Sequence, residues 1–60
     1  MYLKQDPNRH HEGKRIIVLR NSFKGYTGRI VSTSLDGTAV VELDANLRKE
    51  RFKLMDLSYL

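Results

Sequence analysis

The turn Leu35-Asp36-Gly37 constrains this chain's fold more than any other feature. An Asp-Gly pair between two β-rich runs is a hairpin signal, because glycine takes a positive φ without steric penalty. Gly28-Arg29-Ile30-Val31-Ser32-Thr33-Ser34 precedes the turn, and Thr38-Ala39-Val40-Val41-Glu42-Leu43 follows it. Both runs are rich in β-branched residues, whose stiff side chains favour a pleated surface over a helix. Arg15-Ile16-Ile17-Val18-Leu19-Arg20 is too short for a helix and lacks a cap, so it predicts a third strand. Lys49-Glu50-Arg51-Phe52-Lys53-Leu54 alternates charged and apolar residues, which predicts a fourth strand with one wet face. Asn21 to Gly28 is a loop, Asp44-Ala45-Asn46-Leu47 a turn, and Met55 to Leu60 a closing turn or short strand.

Four to five short antiparallel strands in 60 residues predict an all-β fold, a small antiparallel barrel. An open sheet of this size would expose its edges, and closure would remove them. Alternation places Ile16, Val18, Ile30, Ala39, Val41 and Leu43 inward. The same register leaves Ile17, Leu19 and Val40 outward as an apolar patch on neighbouring strands. Residues 1–12 or Tyr59-Leu60 are expected to cover that patch, the alternative being a protein partner. Residues 1–12 read as a linker or N-terminal extension, with a turn at Asp6-Pro7-Asn8 and Tyr2 and Leu3 available for docking. Residues 13–60 form the domain.

Composition narrows the chemistry. Cysteine is absent, which excludes disulfides, thiolate zinc sites and cysteine nucleophiles. No apolar run approaches the ~18 residues of a membrane helix, and Met1 to Pro7 lacks a signal-peptide core. The expectation is an intracellular, soluble chain. His10 and His11 are adjacent, point apart on an extended chain and have no third ligand nearby, so no metal or other cofactor is expected. Glu42 and Asp44 are the only close carboxylates on one strand, and they read as balance for basic neighbours rather than as an acid–base pair. The serines lack a base at a meaningful spacing, so no enzymatic activity is expected.

Eleven Lys and Arg against seven Asp and Glu give a net charge of +4, which favours phosphate-rich partners. Lys14, Arg15, Arg20 and Arg29 flank the first two strands, and Arg48, Lys49, Arg51 and Lys53 form a second basic group. The two groups make one basic stripe if they share a face, and scattered solubilising charge if they do not. Lys24 lies between Phe23 and Tyr26 in a glycine loop, an arrangement suited to phosphate contact with rings stacked on bases. The rings would alternatively plug the mouth of the barrel. Gly25 and Gly28 would permit a tight loop and a close backbone approach to phosphate.

The stretch Gly13 to Ile30 joins a glycine, a hydrophobic strand, the loop Phe23-Lys24-Gly25-Tyr26-Thr27-Gly28 and a second hydrophobic strand. It resembles a KOW motif. The following Thr38-Ala39-Val40-Val41-Glu42-Leu43 is similar to the strand after the motif in eukaryotic NusG-family elongation factors, above all the large subunit of the DSIF complex. The resemblance runs from Gly13 to about Leu57. Where that family has Gly-Pro before the aromatic residue, this chain has Asn21-Ser22, and asparagine tolerates left-handed backbone well.

The resemblance implies a small SH3-like (KOW) antiparallel barrel and a nuclear, non-catalytic binding module, linked to other domains of a longer chain. It would contact RNA polymerase II and nearby RNA or DNA during elongation. Lys14, Arg15, Arg20, Lys24 and Arg29 would meet phosphates, joined by Arg51 and Lys53, with Phe23 and Tyr26 stacking or docking. KOW domains also occur in ribosomal and RNA-processing proteins, which bind structured RNA. A Tudor-like protein-binding module is the other alternative, and it would need three of the five aromatic residues to converge into a cage.

Overall fold

A computed structural model describes residues 11–60, so Tyr2, Leu3, the Asp6-Pro7 turn and His10 lie outside the described residues. Five strands form in order: β1 (Arg15–Val18), β2 (Thr27–Thr33), β3 (Thr38–Leu43), β4 (Lys49–Lys53) and β5 (Leu57–Tyr59). A 3-10 turn at Leu54–Asp56 joins the last two. All pairings are antiparallel, and the sheet order is β4-β3-β2-β1-β5. Among the described residues no helix is long and apolar enough to cross a membrane.

This is the expected small all-β, SH3-like architecture, with one correction. The sheet is not closed: β4 and β5 are its two edges and are not hydrogen-bonded to each other. The three-residue turn bridges the gap instead. The Leu54 amide donates to the Gly37 carbonyl (2.9 Å), and the Leu19 amide donates to the Asp56 carbonyl (2.7 Å). That second bond continues the β1–β5 register by one pair beyond Val18 and Leu57, and β1 itself ends at Val18 rather than running to Arg20.

The hairpin between β2 and β3 forms at Asp36-Gly37. Gly37 has φ 87°, and the Asp36 carboxylate accepts from both the amide and the hydroxyl of Thr38. A bulge follows Ile30, which pairs with Val41 while Ser32 pairs with Val40. Val31 is the extra residue and is exposed. Such bulges bend and twist a strand, which helps so short a sheet curl around its core.

The core comprises Ile16, Val18, Ile30, Ala39, Val41, Leu43, Phe52, Leu54 and Leu57. All six residues expected to point inward are in it. Burying each large aliphatic side chain contributes about 1.5–3 kcal/mol against the entropy of ordering the chain.

The expected outward patch does not form as one surface. Ile17 lies on β1 and Val40 on β3, with β2 between them. Ile17 stands opposite Thr27 and Ser58, whereas Val40 stands opposite Ser32 and Arg51. Each is half-buried by these neighbours. Tyr59 pairs with Ile16, so it shares the core face rather than covering Ile17. His11, read from sequence as part of the leading linker, is buried, with its Nδ1 in hydrogen-bond contact with the Tyr59 hydroxyl.

Candidate nucleic-acid interface

The loop between β1 and β2 is held by its own backbone. Asn21 takes the left-handed conformation (φ 67°), and its Oδ1 accepts the Phe23 amide at 2.8 Å. The Lys24 amide donates to the Asn21 carbonyl, and the Tyr26 amide to the Phe23 carbonyl. Gly25 (φ 90°) donates to Val18, whose amide donates back to Tyr26. These bonds engage the amides of Phe23, Lys24, Gly25 and Tyr26 in turn, so Lys24 is presented from a fixed tip, exposed to solvent.

The two rings of the loop divide the expected roles. Phe23 packs edge-on against Phe52 (centroids 5.5 Å apart, 88°) and against Tyr26 (5.3 Å, 86°). It is half-buried and packed against the core, between Phe52 and Tyr26. Such edge-to-face pairs contribute about 0.5–1.5 kcal/mol beyond their burial. Tyr26 is 41% exposed and is the ring left open to a partner.

Gly28 is corrected as well. It faces β3 rather than a ligand, because a β-carbon there would collide with the Glu42 carbonyl and come within 2.8 Å of Val41 Cγ1. Gly25, at the loop tip, has no such neighbour.

The basic residues separate into committed and free groups. Arg15 grips Asp44 through both terminal guanidinium nitrogens, and Thr27 Oγ1 donates to the same carboxylate. These bonds hold the Asp44 carboxyl below the usual carboxylate range, the Arg15 contact foremost, and raise the Arg15 guanidinium in turn. Arg20 reaches Asp56 at 3.2 Å. Arg51 donates to Thr38 Oγ1 (2.9 Å) and Ser34 Oγ (3.3 Å). Lys14, Lys24, Arg29 and Lys53 are exposed and make no ion pair among the described residues.

The register brings the two basic groups onto one face in part. Arg15, Arg29, Glu42 and Lys49 stand side by side across four strands. Like charges directly opposite repel, and Asp44, close enough to Arg29 to feel its charge, relieves the Arg15–Arg29 pair. Arg51 and Lys53 continue the row along β4, while Lys14 sits before β1 and Arg20 beyond its end. Gly25, Tyr26, Thr27, Asp44 and Ala45 line a shallow depression where the loop meets the β3–β4 turn. Sequence reasoning singled out Asp44 as charge balance. It did not reveal Asp44 as the hub joining β1, β2 and this turn, because those partners are distant in the chain. Among the described residues no three of His, Asp and Glu converge as metal ligands.

In comparisons with known proteins, the chain matches no family model and no curated protein.

Proposed function

We propose that this chain is a KOW-type, non-catalytic binding module that contacts RNA or DNA backbone beside RNA polymerase II and supports elongation in the nucleus. The observation that carries this reading is the pairing of Lys24 with the exposed ring of Tyr26 on a hydrogen-bonded loop. A free cation next to an open aromatic face suits single-stranded nucleic acid, where phosphate attraction and base stacking add. Lys14, Lys24 and Arg29 are the primary phosphate contacts, with Arg51 and Lys53 extending the field. Arg15 and Arg20 contribute less, since each already neutralises a carboxylate. Phe23 acts by holding Tyr26 in place.

A Tudor-like cage is disfavoured by the same rings. Phe23, Tyr26 and Phe52 do converge, but Phe23 fills the space between the other two. A methylated cation needs that space open.

The test is a titration of the isotope-labelled chain with single-stranded RNA, duplex RNA and duplex DNA at low and moderate salt. Salt-sensitive shifts at Lys24, Tyr26, Arg29 and Lys14 are expected. Preference for duplex or looped RNA would favour a ribosomal or RNA-processing role over elongation. Silence with all three ligands at low salt would end the nucleic-acid reading.

A further inference from the structure

One of the sheet's two open edges is β4, and its chemistry is uniform. In an antiparallel ladder the hydrogen-bonded pairs alternate, so each residue points its backbone groups either to its neighbour or away. The Leu43 amide donates to the Arg48 carbonyl at one end of β4, and the Leu54 amide to the Gly37 carbonyl at the other, both at 2.9 Å. The register between these ends is unbroken. Arg48, Glu50, Phe52 and Leu54 therefore turn their backbone toward β3. Lys49, Arg51 and Lys53 turn theirs outward, and no backbone hydrogen bond to them from outside the strand ladders is found among the described residues.

The same three residues carry the exposed side chains of the strand. Among the described residues none of them makes an ion pair. Every residue that offers a free amide and carbonyl along this edge thus also offers a positive charge beside it. The other edge strand, β5, is not hydrogen-bonded to β4. The chain's own first ten residues are a poor match for the edge, because Lys4 and Arg9 outweigh Asp6.

We propose that the β4 edge docks an extended acidic peptide of a partner protein as a sixth strand, antiparallel or parallel, with Asp or Glu at every second position. Strand addition supplies main-chain hydrogen bonds, and alternate side chains supply specificity. Here the alternate side chains would be carboxylates opposite Lys49, Arg51 and Lys53, on the face where oppositely charged cross-strand pairs are favourable. Edge lysines also discourage pairing between copies of the same chain, since like charges would face one another. The device that repels a second copy selects an acidic strand. The site lies apart from the Lys24–Tyr26 loop but shares Arg51 and Lys53 with the proposed phosphate field, so RNA and peptide are tested against each other at this edge.

The test uses the whole chain and a synthetic peptide of alternating Glu and Val, with a second peptide N-methylated at every second residue. The expected result is protection from hydrogen exchange at the Lys49, Arg51 and Lys53 amides. Binding should weaken at least about tenfold on N-methylation, as the loss of several backbone hydrogen bonds requires. A Lys49→Thr/Lys53→Thr variant, which keeps strand propensity, should weaken binding while retaining the folded amide spectrum. Equal affinity for the methylated peptide would overturn the proposal, because attraction would then be charge alone. Slow exchange of those three amides in the free chain, or occupation of the edge by single-stranded RNA without any peptide binding, would overturn it too.

Discussion

A β-carbon on Gly28 would stand 2.8 Å from Val41 Cγ1 and closer still to the Glu42 carbonyl, so β2 and β3 approach at this point only because residue 28 has no side chain. Gly28 is buried, and its neighbours are a backbone oxygen and a packed core methyl, neither of which can swing away. Gly28→Ala is expected to destabilise the domain by about 1–3 kcal/mol, the usual range for overpacking a tight core. In a chain this small that is a large share of roughly 3–5 kcal/mol. Urea unfolding checks it. An unchanged midpoint would mean that the strands part freely.

Phe23 and Tyr26 should separate stability from binding. Phe23→Ala removes the ring between Phe52 and Tyr26 and is expected to cost about 2–4 kcal/mol, somewhat less than a fully buried phenylalanine. Tyr26→Ala should leave the melting temperature within a few degrees. It should weaken single-stranded RNA binding by about 1–3 kcal/mol, the value of one stacked base. Thermal melts beside RNA titrations of both variants distinguish the roles.

The Asp44 and Asp36 carboxyls are held below their ordinary 3.8, Asp44 by Arg15 and Thr27, Asp36 by the Thr38 hydroxyl and amide. A carboxyl depressed in the folded state adds stability above its unfolded value and loses it as pH falls through the folded one. The domain should therefore lose stability as pH drops below about 4. Asp44→Asn should flatten that dependence. Denaturation midpoints from pH 2 to 6 measure both slopes, and parallel curves for the two proteins would refute the assignment.

Asn21 and Leu47 are the two described non-glycine residues with positive φ, at 67° and 59°. Asn21 also receives the Phe23 amide, so Asn21→Ala is expected to cost about 1–2 kcal/mol, and Asn21→Gly less. Leu47 is 71% exposed and pays the left-handed penalty without compensating burial. Leu47→Asn is expected to stabilise the domain by about 0.5–1 kcal/mol. Chemical denaturation of the three variants checks the order.

Much of this fold was legible locally. The Asp36-Gly37 turn, the alternation that buries Ile16, Val18, Ile30, Ala39, Val41 and Leu43, and the left-handed Asn21 all follow from near neighbours in the chain. Strand period and turn chemistry are short-range physics, so a short window of sequence contains them. The candidate site was legible only as a set of residue types. Which arginines are free, which ring is open and which glycine is packed depend on contacts across the sheet.

The sequence by itself determined the strands, their inward faces and the loop that carries Lys24. Only the tertiary structure decided that Arg15 is held by Asp44, that Phe23 packs against the core while Tyr26 stays exposed, and that the sheet stays open between β4 and β5. The reason is one of range. A residue's backbone state is set largely by its neighbours in the chain, whereas its partners are set by register and curvature, which bring residues such as Arg15 and Asp44 together from different strands.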